Sequence, residues 1–468
     1  MFRPVNASTA SLLTSTRVGR WREAAEGQIA NQMRATKRPT MKPTILATIV
    51  CLFGVIPACE QPDDDPDDPG QPDPPTVPQT DTYALEGATL IDGTGDDPVD
   101  DAVIVIDDGQ FTAAGPGDDI DAPDDIETVD LTGFTVIPGL IDSHAHLGPL
   151  VVGHDEDRGG EDDVPPNTPT EDLVDIVPQF VDHGVTTVKS VGDVFPWIVE
   201  ARDAVDAEGV DTPQILTSGP LFTAPGGHPA ATIYAHNPWL AEGANAEVGS
   251  ADEARDAVEE VADGGVDFIK IVYDDGDGRF ERLDDEVMET IIDEASDHDL
   301  KVTAHVGDDD ETRRVIKAGV DGIEHARPLS DETIERMVDE EIFFVPTLAV
   351  YDSLQGGVAP TISDSVDRAA DAGVNIVAGS DVGNPSLVPG ASLHRELRLL
   401  VDAGLTPHDA LVAATSTAAR FLGKPGEVGE ITAGARATLL VVEDDPLHDI
   451  DAAAEPVWVI HHGDVVQH

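Results

Sequence analysis

Two histidines separated by one residue follow a mostly apolar stretch of the chain. His144 and His146 come directly after residues Phe134–Ser143. Side chains alternate across an extended strand, so residues i and i+2 point to the same side, and two such imidazoles can bind one metal ion. Four more residues of ligand type each lie at or near the end of an apolar run further along the chain: Lys270, His305, His325 and Asp381. Together these six residues predict a hydrolytic metal site.

The middle of the chain, residues 137–426, alternates between strand and helix patterns. Eight strands are expected near residues 134–142, 185–191, 214–219, 267–273, 300–305, 320–325, 343–349 and 374–380. Acidic helix patterns such as Ala251–Ala262 and Asp284–Asp297 lie between most of them. Eight β-α repeats predict an α/β fold of the (β/α)8 TIM barrel type, in which the carboxyl ends of the strands meet at one mouth. A doubly wound open sheet is the alternative.

Strand and turn patterns occupy both ends of the region that follows residue 81. Ala102–Ile106 and Gln110–Thr112 flank Asp107-Asp108-Gly109 and predict a hairpin, and Val457–Ile460 begins a second one. We therefore expect residues 82–136 and 427–468 to form one small composite β-sandwich domain, built from both ends of the mature chain.

The first residues are typical of an export signal. Residues 1–40 are Arg-rich and are interpreted as a leader or a mis-called start, with Met41 as the true one. In residues 41–59 a short positive start precedes the apolar core Ile45–Ile56, which is too short to span a bilayer comfortably. The sequence then reaches Cys59 through a lipobox-like segment. Lipidation of Cys59 is expected, and an ordinary cleaved signal or an uncleaved anchor are the alternatives.

Residues 60–81 are rich in Pro and Asp and predict an extended, self-repelling linker. An extended tether after a lipidated cysteine would place the rest of the chain outside the membrane. We therefore expect an exported, membrane-anchored lipoprotein that faces the periplasm or the exterior. Membrane contact would be made only through the lipid anchor or the signal segment.

The charge is strongly negative, with 92 Asp and Glu against 27 Lys and Arg and a net charge of -65. Such a surface repels nucleic acids and anionic membranes, so neither is expected as a partner. The same composition is typical of adaptation to salt, which needs no acidic site. The two cysteines, Cys51 and Cys59, precede the globular part, so that part has neither a disulfide framework nor a thiol nucleophile.

The ligand candidates as a set resemble those of the amidohydrolase superfamily, and the resemblance extends from Tyr83 onward. His144 and His146 match the His-x-His of the first barrel strand, and the other matches are His305 on strand five, His325 on strand six and Asp381 on strand eight. Residues 390–400, 403–407 and 410–415 are similar to the helical stretch that follows strand eight in imidazolonepropionase-like and prolidase-like members.

This resemblance implies a binuclear site. In a subset of the superfamily a lysine at the end of strand four reacts with CO2, and the carbamate bridges two metal ions; Lys270 occupies that position. The reaction needs a neutral amine, and burial lowers the pKa of a lysine. Deaminase-type members carry a Glu shortly after the strand-five histidine, whereas this chain continues Val306-Gly307-Asp308, which counts against deamination.

The resemblance also implies roles for each ligand. His144, His146 and Asp381 would bind the more buried ion, while His305 and His325 would bind the other, with the Lys270 carbamate between them. The cofactors would be two divalent metal ions, with zinc expected and Mn, Fe or Co compatible with the same donors. The ions would generate hydroxide from a shared water, and Asp381 would act as general base and then as general acid.

Two further residues are candidates for substrate contact. His228 belongs to a Gly-Gly-His loop after strand three, which resembles a substrate-binding loop of the prolidase-like relatives. Tyr273 follows Lys270 by three residues, and its hydroxyl could bind a carboxylate or an oxyanion. A packing role is the alternative for Tyr273.

The sequence therefore predicts a hydrolase of carbon–nitrogen bonds that acts on a small-molecule amide or peptide. A dipeptide, an N-acyl amino acid and a cyclic amide all fit, with a dipeptidase of prolidase type among them. One alternative keeps the binuclear site but cleaves a lactone or a phosphoester. Another is a lipid-tethered binding protein on a catalytically dead scaffold, which the complete ligand set disfavours. The oligomeric state is left open, a homo-oligomer included.

Overall fold

The computed structural model describes residues 76–467 apart from residues 121, 124, 158–168, 210 and 326. The leader, the signal peptide, Cys59 and residues 60–75 of the linker lie outside the described residues, so export and lipidation stay predictions. Among the helices of the described part, none combines the length and the apolar character that a membrane span needs.

Strands from both ends of the described chain form one eight-stranded sheet. They are β1 (Thr82–Leu90), β2 (Val99–Asp107), β3 (Gln110–Pro116), β4 (Glu127–Asp130), β5 (Thr135–Pro138), β16 (Leu439–Val442), β17 (Pro456–His461) and β18 (Asp464–Gln467). The order is β18-β17-β16-β5-β1-β2-β3, and β4 pairs with β1. Both predicted hairpins are confirmed, since β2 pairs antiparallel with β3 and β17 with β18. The expected residue limits of a separate domain stay a prediction.

This sheet buries its two faces in different cores because side chains alternate across each strand. One face carries large buried side chains such as Tyr83, Phe111 and Trp458, which pack with one another. On the other face, Leu440 and Val459 belong to the core of the central α/β region. The sheet is therefore held to that region by continuous apolar packing.

The central region contains parallel strands that carry the candidate site. They are β6 (Leu140–Ala145), β7 (Val185–Ser190), β8 (Gln214–Thr217), β9 (Leu221–Thr223), β10 (Asn245–Glu247), β11 (Ile269–Tyr273), β12 (Val302–Val306), β13 (Gly322–Glu324), β14 (Phe343–Val345) and β15 (Asn375–Ile376). Strand pairing gives a sheet β6-β7-β8 and a sheet β10-β9-β11-β12-β13-β14-β15.

The strand ladder does not run without interruption around a barrel, but backbone hydrogen bonds bridge both gaps. Asp267 N–H donates to Thr217 O over 2.8 Å, which joins the end of β8 to the start of β11. His146 N–H donates to Val382 O over 2.7 Å, which joins β6 to the segment after β15. The α/β class and the TIM-barrel arrangement are thus confirmed as expected.

Helices cover the strands on the outside. The described α-helices are α1 (Leu147–Asp157), α2 (Pro169–Ile176), α3 (Pro178–Asp182), α4 (Trp197–Glu208), α5 (Pro238–Gly243), α6 (Ala251–Asp263), α7 (Asp285–Asp297), α8 (Asp309–Ala318), α9 (Asp331–Asp339), α10 (Leu348–Gln355), α11 (Pro360–Ala372), α12 (Ala391–Asp402), α13 (Pro407–Ala413) and α14 (Ser416–Phe421). Helix α6 shows why such acidic segments are helical: the Ser250 side chain caps its first turn, and Ala254, Val258 and Val261 form a buried stripe.

The first predicted barrel strand needs a correction. Residues 134–142 do not form one strand, because β5 ends at Pro138 and β6 begins at Leu140, and the two belong to different sheets. Gly139 lies at the junction, where an added Cβ would overlap the side chains of Thr186 and Thr438. Apolar character continues across the junction because both strands are buried, so the pattern alone could not locate the break.

We predict that Gly139→Ala lowers the free energy of unfolding by about 1–3 kcal/mol, because overpacking against two stiff β-branched side chains is costly. Urea unfolding measures the change. Gly153→Ala on α1 is the matched control, since no atom of the described residues lies within 4 Å of the added Cβ. Equal stability of the two variants would contradict the packing role of Gly139.

Candidate metal centre

The six predicted ligands converge on one cavity of about 870 Å³, and each of them lines it. The sequence brings them there through strand ends: His144 lies in β6, Lys270 in β11 and His305 in β12, while His146, His325 and Asp381 follow the last residues of β6, β13 and β15. The predicted substrate contact His228 lines the same cavity. The carboxyl ends of these strands therefore form a single mouth, as the alternation of strands and helices predicts.

His144, His146 and Asp381 form a cluster that can bind a divalent cation. Asp381 Oδ1 lies 3.4 Å from His144 Nε2 and 3.2 Å from His146 Nε2, and their ligand atoms fall within 4.8 Å of one another. His144 Nε2 is buried and has no hydrogen-bond partner among the described residues. Buried polar atoms are normally satisfied, so an orphaned imidazole nitrogen facing a carboxylate fits a metal ligand.

Three residues around the cluster have left-handed backbone conformations that are uncommon for residues other than glycine. The φ angles are 59° at Asp381, 71° at His325 and 51° at Thr347. Such conformations cost free energy and persist where the surroundings hold them. Asp381 is held by its N–H, which donates to His144 O over 2.8 Å. The strained turns redirect the two ligand side chains into the mouth.

The histidines that were predicted for a second ion lie next to the first cluster. The ring centroids are 4.6 Å apart between His305 and His325, and 4.9 Å apart between His144 and His325. His325 Nδ1 is 2.8 Å from Thr347 Oγ1, and His305 Nε2 is 3.1 Å from Asp274 Oδ2. With one nitrogen of each ring engaged in this way, the other can coordinate an ion.

Asp274 illustrates what the sequence left out. The sequence did not single this residue out, yet its carboxylate contacts His305. Burial raises the pKa of this carboxyl, but the hydrogen bond and charge of His305 outweigh burial and hold the pKa below its usual range. An ionised Asp274 can therefore fix the orientation of the imidazole.

Glu324 lies at the centre of the polar network under the site. Its Oε2 is 2.6 Å from His144 Nδ1, and its Oε1 accepts hydrogen bonds from Lys189 Nζ at 2.8 Å and Thr303 Oγ1 at 2.7 Å. The residue is fully buried. Although burial raises its pKa, the charges of Lys189, Lys270 and His144 hold the pKa well below the usual value.

The ion pair of Lys189 joins two residues that are far apart in sequence. In the structure Lys189 pairs with Glu324, whereas Asp193 accepts hydrogen bonds from Ser190 Oγ and, over 2.6 Å, from Gly148 N–H. Lys189 on β7 and Glu324 on β13 belong to different sheets. They are 135 positions apart in sequence, and no local pattern encodes such a contact.

Lys270 is almost completely buried and reaches the same carboxylate less closely. Its Nζ is 3.9 Å from Glu324 Oε1 and has no hydrogen-bond partner within the described chain. Burial, with a smaller contribution from Lys189, lowers the pKa of Lys270 to about 8, although Glu324 acts in the opposite direction. A sizeable fraction of this amine is therefore neutral in weakly alkaline solution.

The two predicted substrate contacts have different outcomes. The ring of His228 lies in the cavity, 5.1 Å from that of His305 and stacked 5.5 Å from Phe280. Tyr273 does not line the cavity: its hydroxyl donates to Asp285, and the guanidinium of Arg282 lies 4.4 Å from its ring centroid. The strand carries Lys270 to the mouth but turns Tyr273 outward.

Other residues line the cavity that the sequence did not single out, among them Tyr234, Arg327, Tyr351 and Asn384. They lie in segments that follow strands, where no periodic pattern marks a side chain as facing the mouth. Asn384 Nδ2 donates to Asp381 Oδ1 over 2.8 Å and so helps to hold that carboxylate.

Comparison with known proteins agrees with this geometry. The sequence profile described as "Amidohydrolase family" matches residues 135–465, which confirms the resemblance noted in the sequence. An uncharacterized protein of Mycobacterium tuberculosis is 29% identical over 351 residues, covering 71% of this chain and 85% of that protein. Ochratoxinase of Aspergillus niger is 26% identical over 409 residues, covering 80% of this chain and 83% of that enzyme.

Among solved structures, a Xaa-Pro dipeptidase with bound methionine in the active site is similar, with a TM-score of 0.72 and 25% sequence identity. The alignment covers 83% of this chain and 100% of the dipeptidase chain. The similarity thus includes both the central α/β region and the sheet formed from the two ends of the described chain.

We predict that Glu324→Gln lowers the free energy of unfolding by about 3–5 kcal/mol, because it leaves the buried Lys189 without its counter-charge. Urea unfolding measures this loss, and elemental analysis follows the bound metal. The double variant Glu324→Gln/Lys189→Met should recover part of the loss, because neither charge then remains buried alone. Strictly additive effects of the two substitutions would show that the pair does not act as a unit.

Proposed function

The chain belongs to the amidohydrolase family and is a hydrolase of carbon–nitrogen bonds, and we propose that its substrate is a dipeptide, an N-acyl amino acid or a cyclic amide. Metal-dependent amide hydrolysis is the common chemistry of these substrates. The observation that carries the proposal is the convergence of six residues of ligand type from five strands on one cavity.

The names of the relatives support this substrate range. The similar solved structure is that of a Xaa-Pro dipeptidase, and methionine is bound in its active site. The active site of a protein with a similar fold thus accommodates a free amino acid, which is one product of dipeptide or N-acyl amino acid hydrolysis. Ochratoxinase is related to this chain over most of its length.

The residues present fit a binuclear site. His144, His146 and Asp381 would bind one ion, and His305 and His325 the other, with Lys270 as a carbamate between them. The orphaned nitrogens of His144 and Lys270 support this assignment. Zinc is the metal we expect, and manganese, iron or cobalt would suit the same donors. When bound, two such ions lower the pKa of a water molecule and polarise the scissile carbonyl.

Asp381 is suited to move the proton that the reaction requires. Burial raises the pKa of its carboxyl, but His144 and His146 outweigh burial and lower the pKa below its ordinary value, so the carboxylate is ionised at neutral pH. Its Oδ1 is held by Asn384, and its Oδ2 lies 3.7 Å from His325 Nδ1. Asp381 would accept a proton from the attacking water and deliver it to the leaving nitrogen.

We predict that Lys270→Ala loses most of its bound metal and its activity, because the position no longer supplies a bridging carboxylate. Short carboxylic acids added to the variant should restore part of both. Metal content and amide turnover measure the effect, with Lys317→Ala as the control because Lys317 is exposed on α8. Full activity of Lys270→Ala would rule out the carbamate.

We predict that the protein, supplied with Zn or Mn and bicarbonate, releases amino acids from a panel of dipeptides and N-acyl amino acids. Asp381→Asn should lower turnover by about 10²–10⁴-fold, because it removes the proton carrier. The exposed Asp402→Asn is the matched control. Near-normal turnover of Asp381→Asn would contradict the assigned role.

The same panel decides between amides and the alternative substrates. It includes cyclic amides, lactones and phosphoesters, each assayed at moderate and high salt because the chain is so acidic. Turnover of lactones or phosphoesters by a folded, metal-loaded protein that leaves all the amides intact would overturn the proposal.

A further inference from the structure

The opening of the cavity carries apolar side chains that are exposed to solvent. Ile233, Leu354 and Val388 are 63%, 60% and 48% exposed, and all three line the cavity. We refer to these three residues as the apolar rim. Within the described chain, only one other large hydrophobic side chain is comparably exposed, Val338 at 36%, and it does not line the cavity.

The apolar rim is assembled from three separate segments. Ile233 lies between β9 and β10, Leu354 lies on α10, and Val388 lies between β15 and α12. Each segment follows a strand whose carboxyl end points to the mouth, where barrel enzymes form their specificity loops. On a chain with a net charge of -65, the concentration of exposed apolar side chains around this cavity indicates a surface that contacts an apolar ligand.

Arg327 gives the same cavity a cationic group. It follows the candidate ligand His325 by two residues and lines the cavity. Its Nε donates to Val306 O over 3.2 Å, and no carboxylate of the described chain forms an ion pair with it, in contrast to Arg313 and Arg395. A guanidinium that lines a cavity and forms no ion pair with the described residues is suited to bind a carboxylate through two hydrogen bonds.

The volume of the cavity favours a large substrate over a small one. Its volume of about 870 Å³ lies toward the upper end of the roughly 300–1,000 Å³ typical of sites that enclose drug-sized ligands. A minimal dipeptide would leave much of this space, including the apolar rim, without a contact.

We propose that the substrates are N-acyl amino acids with a large apolar acyl group. The free carboxylate binds Arg327, the amide lies at the metal ligands, and the acyl group packs against the apolar rim. Water adds to the amide carbon and the C–N bond breaks. The nitrogen gains a proton, and the products are a carboxylic acid and a free amino acid. This inference rests on the proposed function and selects one of its substrate classes.

The first experiment varies the acyl group while the amino acid is fixed. For the full-length protein, kcat/KM should rise at least about tenfold from N-acetyl to N-octanoyl substrates, because each additional buried methylene group favours binding. Leu354→Ser and Val388→Ser should each reduce the octanoyl-to-acetyl ratio. Val338→Ser is the matched control and should keep the ratio of the wild type. A flat dependence on acyl length would overturn the proposal.

The second experiment tests the carboxylate contact. Arg327→Gln should raise KM for N-octanoyl amino acids by about 10–100-fold, because a hydrogen-bonded charge pair is lost. The wild type should prefer the free acid over its C-terminal amide, the Gln variant should lose this preference, and Arg327→Lys should keep part of it. An unchanged preference in Arg327→Gln would assign the carboxylate to another group.

Binding measurements separate this inference from the proposed function. Calorimetry with Asp381→Asn compares N-octanoyl and N-acetyl forms of one amino acid. Tighter binding of the octanoyl form, without hydrolysis by the wild type, would support the ligand class and overturn the proposed function. Equal binding of the two forms, together with hydrolysis by the wild type, would overturn this inference and support the proposed function. If a second copy of the chain covers the rim, Leu354→Ser will change the oligomeric state and acyl length will have no effect, which also overturns the inference.

Discussion

The buried carboxylate of Glu324 is the interaction on which the candidate site depends. A carboxylate without solvent is stable only if charges and hydrogen bonds compensate it, and here the compensation comes from other strands of the central region. Lys189 on β7 and Thr303 on β12 bind one oxygen, and His144 on β6 binds the other. The hydrogen bond between His144 and Glu324 therefore also fixes the tautomer of His144, a candidate metal ligand, and directs its Nε2 toward Asp381.

The same carboxylate makes the two buried lysines unequal. Lys189 Nζ is 2.8 Å from Glu324 Oε1, whereas Lys270 Nζ is 3.9 Å from that atom. One negative charge cannot fully compensate two ammonium groups in a low-dielectric interior. The charged form of the more distant lysine, Lys270, is therefore less stabilised, and this lysine loses its proton more readily. A neutral amine at Lys270 is what carbamate formation requires. The structural ion pair and the proposed chemistry of the neighbouring lysine are thus parts of one charge arrangement.

The sequence points to the candidate ligands, but it does not identify the residues that hold them in place. The candidate ligands could be picked out because each lies in or shortly after a buried strand, and the parallel strands of a barrel carry such residues to one mouth. The partner of Lys189, the contact between Asp274 and His305, and the break at Gly139 depend on which strands are neighbours. Those relations arise between residues far apart in sequence, and local periodicity carries no information about them. Tyr273 lies outside the cavity for a different reason: it belongs to the same strand as Lys270 and follows it by three residues. Side chains alternate across a strand, so the two residues point to opposite faces.

The outer part of the cavity follows different physical rules from the inner part. Metal ligands must satisfy a fixed geometry, so their residue types and strand positions are strongly constrained. Ile233, Leu354 and Val388 need only be apolar and face the opening, and they come from three segments without a shared pattern. Their exposure to water costs free energy in the absence of a ligand, and an apolar substrate group removes that cost on binding. Selection between substrates can therefore reside in these segments, while the strand ends keep the chemistry unchanged.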